Sequence, residues 1–111
     1  MRMFKLQELA KTVRSKNAGV DKITFDIIFR ENTIYEQVKK SGVISKESVA
    51  ELYGITEDRI SDFVYFDPAF AIKFTVYRTL SSGSPGDPDI FGAQQYAPLL
   101  DIEVPIENTE Q

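Results

Sequence analysis

The sequence predicts a single α+β domain: a mainly antiparallel four-stranded sheet with helices packed on one face. Three observations carry that expectation. Apolar residues alternate through 22–30, 69–79 and 100–106, as they do in half-buried strands. Capped helical patterns fill the stretch between the first of these segments and the others. Asp67-Pro68 then punctuates two adjacent β segments as a hairpin turn would.

Taken in order, Leu6, Leu9, Ala10 and Val13 recur at i, i+3, i+4 and i+7, which predicts an amphipathic helix ending near Arg14 or Ser15. Lys16-Asn17-Ala18-Gly19 then reads as a loop, with Gly19 suited to a positive φ. In KITFDIIFR, residues 22–30, Ile23, Phe25, Ile27 and Phe29 share one face, while Thr24, Asp26, Ile28 and Arg30 share the other. That segment is the expected central strand.

Asn32 is placed to cap a helix running to about Lys40, with Gly42 as its terminator. Ser45 caps a second helix that closes at Gly54, with Ile44 and Val49 at hydrophobic-staple positions. The same arrangement recurs at Thr56, flanked by Ile55 and Ile60. Residues 62–66 read as a short strand. In the following strand Phe70, Ile72, Phe74 and Val76 share a face. After a long connection, Leu100, Ile102, Val104 and Ile106 alternate in the last strand, and residues 107–111 read as a frayed tail. A ferredoxin-like sandwich is the expected layering, with the strand order left open.

The 111 residues suffice for one two-layer core, and the net charge of −4 argues against nucleic acid or an anionic membrane as partner. With no Cys and no His, the chain has no disulfide framework, no thiolate nucleophile and no Ser-His or Cys-His catalytic pair. It is therefore not expected to act as a stand-alone enzyme. No cofactor and no metal site are expected, since the alternate carboxylates Asp87 and Asp89 lack the wider calcium-loop pattern. No membrane span or targeting signal is legible, so a cytoplasmic location is expected.

Three segments lack a scaffold role. In the first, Arg14, Ser15, Lys16, Asn17 and Gly19 read either as a solvated helix C-terminus or as an anion site in which Arg14 grips a carboxylate or phosphate. The second is Asp67 with Pro68, where Asp67 is a candidate orienter of Arg14. The third spans 81–98, about eighteen residues with no scaffold pattern, and a compact domain seldom keeps such a connection without a use. Its first half, with Ser82, Gly83, Ser84, Gly86 and Asp87, reads as two tight turns before it reads as a binding loop. Its second half offers Gln94 and Gln95 as neutral hydrogen-bonding groups and Phe91 and Tyr96 as packing groups. By economy, the first and third segments are expected to meet in space.

These same residues carry a resemblance. RSKNAG, TFDIIF, FDPAFAIKFTVYR and SGSPGDPDIFGAQQYAPLLDIEVP together are similar to domain-of-unknown-function family 4387, over roughly residues 6–105. Members of that family resemble companions of the larger acyclic terpene utilisation family, as a separate chain or a fused domain. The larger family's C-terminal domain is regarded as ferredoxin-like and carries an RSGDKG-type loop before a strand. Residues 14–19 are similar in position and differ at Lys16-Asn17-Ala18. The resemblance implies a protein partner, and with it two functional readings. One is an accessory subunit or domain that docks on the larger protein and helps form a site for an anionic small molecule, of carboxylate or acyl-CoA type. The other is an independent binding or regulatory module whose long loop closes over an anionic ligand. Homo-oligomerisation is left open.

Overall fold

A computed structural model describes residues 2–17, 22–77 and 96–107. It is an α+β fold. Strand β1 (Arg2–Lys5) leads into a single helical turn, α1 (Leu6–Leu9), and then into β2 (Ala10–Asn17) and β3 (Lys22–Phe29). Two helices follow, α2 (Asn32–Ser41) and α3 (Lys46–Tyr53), and a 3₁₀ turn (Glu57–Arg59) leads into β4 (Ile60–Phe66). A second 3₁₀ turn (Asp67–Ala69) joins β4 to β5 (Ala71–Tyr77), and a third (Ala97–Asp101) precedes β6 (Glu103–Ile106).

The main sheet is four-stranded and antiparallel, in the order β2-β3-β5-β4, while β1 and β6 form a separate two-stranded ribbon. The layering of one sheet and helices is that of the expected sandwich, but its membership differs from the sequence reading in two places. The fourth strand is residues 10–17, expected to be the end of a helix and the start of the loop after it, and the last strand pairs with β1 outside the sheet.

The helical reading of Leu6, Leu9, Ala10 and Val13 holds for the single turn Leu6–Leu9 and fails from Ala10 onwards for a local reason. Ala10 pairs with Phe29 and Thr12 with Ile28, so β2 carries an extra residue, Lys11, against β3. A β-bulge of this kind moves the next inward side chain from two residues on to three. Ala10 and Val13, three apart, thus occupy the row positions of Phe29 and Ile27, two apart. The spacing copies a helix while the backbone is extended.

The inner face of the sheet holds the core. Ile23, Phe25, Ile27, Phe29, Ile72, Phe74 and Val76 are buried there. Phe25 stacks on Phe74 with ring centroids 4.8 Å apart, and Phe74 on Phe63 at 5.5 Å. Tyr53 of α3 meets Phe25 at 5.8 Å and Tyr35 of α2 meets Phe29 at 6.2 Å, so both helices cover this face. Of the expected caps, Ser45 forms as the sequence indicates, accepting from the Ser48 amide at 3.1 Å with Ile44 and Val49 buried. Asn32 is already the first residue of α2, whose cap is Glu31, and neither Glu31 nor Thr56 makes a side-chain capping bond. Gly42 and Gly54 close their helices at φ 73° and 67°. Helix α2 also contacts β6, whose Val104 and Ile106 join the same core with Leu6 and Leu99. In the expected core, Leu9, Val13, Phe70 and Ile102 are only partly buried, and Leu99 takes the place given to Leu100. Among the described residues, no helix is long and apolar enough to cross a membrane.

Candidate functional site

Antiparallel pairing sets side chains from neighbouring strands side by side on one face. On the outer face of the sheet, Arg14 of β2 lies opposite Asp26 of β3, and Asp26 opposite Lys73 of β5. The Asp26 side chain is only 5% exposed. Such a carboxylate is stable in the folded chain only with its charge compensated and its oxygens bonded. Both conditions are met: Arg14 Nε donates to Oδ2 at 3.0 Å and Lys73 Nζ to Oδ1 at 3.2 Å. Burial pushes the Asp26 carboxyl up, and the hydrogen bonds and charges of Arg14 and Lys73 overcome it, holding the group below its usual value. Two cations thus share one anion, and the Arg14 side chain remains 57% exposed.

Further along the same face, Lys16 lies opposite Thr24, and the Thr24 and Thr75 hydroxyls are 3.3 Å apart. Lys22 sits over the Tyr77 ring at 5.6 Å. On β4, at the opposite edge, Val64 and Phe66 are exposed. The outer face is therefore graded, cationic from β2 to β5, with apolar Val64 and Phe66 beside acidic Asp62 along β4. Guanidinium, ammonium and hydroxyl groups in adjacent rows are suited to a carboxylate or phosphate, the guanidinium fork adding orientation to charge.

Asp67 belongs to a different cluster. Two strands, β3 and β5, separate β2, which carries Arg14, from β4, at whose end Asp67 lies. Asp67 accepts from Tyr35 Oη at 2.5 Å and from Lys39 Nζ at 3.0 Å. These bonds, Tyr35 first, hold its carboxyl below the usual value. Lys39 also lies 5.8 and 5.7 Å from the Tyr35 and Tyr65 ring centroids. Burial, then the Asp67 bond, pushes the Tyr35 hydroxyl up. This cluster fastens the β4–β5 turn to α2. The orienter of Arg14 is Asp26, not Asp67.

Of the segment 14–19, Arg14 and Lys16 occupy outer-face positions, whereas Ser15 pairs with the inward Phe25 and so leaves the cationic face. Asn17 is described as strand backbone only. Gly19, Ser82, Gly83, Ser84, Gly86, Asp87, Gln94 and Gln95 lie outside the described residues, as does the expected meeting of the two segments. Tyr96 packs against the core. Asp26 and Lys73 were not anticipated as site residues; the signal was three charged residues on the polar faces of three segments, readable only once 10–17 is a strand.

Among the described residues, no three His, Cys, Asp or Glu side chains converge to hold a metal. Two surface hollows, about 560 and 220 Å³, lie elsewhere: one is lined by Met3, Phe4, Lys5, Gln7, Glu8 and Glu103, the other by Gln37, Lys40, Ser41, Pro105 and Glu107. Neither includes Arg14 or Asp26.

A family model described as Domain of unknown function (DUF4387) matches residues 6–103. No curated protein and no solved structure matches the chain.

Proposed function

The chain belongs to the DUF4387 family, and on that footing we propose that it is an accessory subunit or domain. It docks on a larger protein of the acyclic-terpene-utilisation kind and contributes an anion-binding surface, in the cytoplasm. The observation that supports this is the outer-face row in which buried Asp26 holds Arg14 and Lys73. A carboxylate so placed neutralises one of the two cations and fixes both. The remaining charge and the exposed guanidinium suit an acidic group, either on a small carboxylate or acyl-CoA-type ligand or on the partner's surface. Such a cationic surface on a protein of net charge −4 is a local segregation of charge rather than its average.

Native mass measurement of the chain, with and without the larger protein, tests the docking. A complex that weakens on Arg14→Ala supports the proposal. A chain that never joins the larger protein but binds acyl-CoA esters or dicarboxylates by itself is instead an independent binding module. Binding of neither removes both readings.

A further inference from the structure

The main sheet has two edges, and they are built differently. On β2 the exposed side chains are Lys11, Arg14 and Lys16, and a bulge at Lys11 interrupts the strand. Lysines and bulges are the devices by which edge strands avoid pairing with other chains. On β4 the exposed side chains are Asp62, Val64 and Phe66, at 47% and 43% for the latter two. Its own bulge, between Ile60 and Asp62, lies at the start of the strand, leaving 62–66 in regular pairing with β5. Among the described residues, no strand pairs with the outer side of β4.

The inner face gives a second observation. Phe25, Phe74 and Phe63 form one row across β3, β5 and β4, each stacked on the next at 11–13° between planes. The row stops at the β4 edge with Phe63 only partly buried. An aromatic ladder that ends half-covered on an unguarded edge has room for one more rung.

We infer that β4 pairs with β4 of a second copy of this chain, antiparallel about a two-fold axis at Val64. The register proposed is laid on the segment SDFVYF, residues 61–66. Centred on Val64, it sets Val64 against Val64, Phe63 against Tyr65 and Asp62 against Phe66. Each Phe63 ladder then continues into an aromatic ring of the other copy, Val64 meets Val64, and Phe66 lies opposite Asp62 with Val64 of the other copy as its diagonal neighbour. Asp62 faces no second Asp62, so no like charges oppose. The two four-stranded sheets become one of eight strands, whose outer edges are the lysine-guarded β2 strands, and the assembly closes as a dimer instead of growing. The inference is independent of the anion-binding proposal, since Arg14 and Asp26 lie away from this edge.

Sedimentation of the isolated chain tests it. The expected mass is twice that of the 12.6 kDa chain, falling to one copy for Val64→Asp combined with Phe66→Asp, which sets like charges opposite one another at 64/64 and 62/66, with the far-ultraviolet circular dichroism retained. Lys11→Glu, on the other edge, remains dimeric. Because the chain has no Cys, Val64→Cys supplies a single thiol, which a short bismaleimide should join between copies, while Lys11→Cys should not. This second measurement decides the matter if the double variant fails to fold. A monomeric wild type, a dimer that survives both aspartates, or a Val64→Cys protein that does not cross-link overturns the inference.

Discussion

Arg14 and Asp26 face one another across β2 and β3, with Nε 3.0 Å from Oδ2, and Lys73 closes on the other oxygen from β5. The three residues are far apart in sequence, and a single row of the sheet brings them together. Asp26 is buried while both cations are partly exposed. Removing a cation and removing the anion therefore have different consequences.

Loss of Arg14 touches both binding and folding, and its lysine variant separates the two. Arg14→Lys keeps a cation beside buried Asp26 and should shift stability by no more than about 1 kcal/mol. Arg14→Ala leaves the buried Asp26 Oδ2 without its donor and should cost about 1–3 kcal/mol. Affinity for the acidic group should fall by about 1.5–3 kcal/mol, or roughly ten- to a hundredfold, in both variants. Lysine keeps the charge but loses the planar fork. Titration of the three forms with the partner protein, acyl-CoA esters and dicarboxylates checks this, and equal affinities would remove Arg14 from the site.

Asp26 gives the fold an acid-sensitive component. Its folded carboxyl titrates below its unfolded value of about 3.9, because the bonds from Arg14 and Lys73 outweigh burial. The stability from this group is fully present above the unfolded value and is lost as pH falls from about 4 towards the lowered folded one. Asp26→Asn, which leaves both cations without their counter-charge, should cost about 1–3 kcal/mol at neutral pH. Urea denaturation of both proteins from pH 7 downwards should show that difference shrinking below about pH 4. A constant difference would mean that the carboxylate charge is not what stabilises the row.

Phe74 lies between Phe25 and Phe63 and is 1% exposed. Phe74→Ala should cost about 3–5 kcal/mol, as should Phe25→Ala, a large part of the stability of a domain this size. Chemical denaturation reads it directly. An unchanged midpoint for Phe25→Ala would contradict the central position of β3.

Gly42 and Gly54 end α2 and α3 with φ of 73° and 67°, and a Cβ at either would meet nothing within 4 Å. The cost of Gly54→Ala is therefore backbone strain alone, about 1–2 kcal/mol. Gly54→Asn should cost less, since asparagine tolerates the left-handed region. Thermal melts of the two variants should rank in that order.

By itself the sequence determined the α+β class, strands β3 and β5, both main helices with their glycine ends, the Ser45 cap of α3, and most of the inward residues. These are local patterns: alternation along a strand, capping three residues apart, glycine at a helix end. Where local and tertiary structure disagree, the periodicity misleads. Ala10 and Val13 are spaced as on a helix because Lys11 bulges from an edge strand, and Ile60, four residues past Thr56 as a staple residue would be, opens β4 ahead of a second bulge. Bulges depend on the partner strand, so a single segment does not show them. The same limit hid the site. Arg14 was legible as an exposed cation, but Asp26 looked like one more polar residue on the outer face of a strand. Only the pairing of β2, β3 and β5 decides that Asp26 is buried between two cations, because burial and charge compensation are properties of neighbours that register alone supplies.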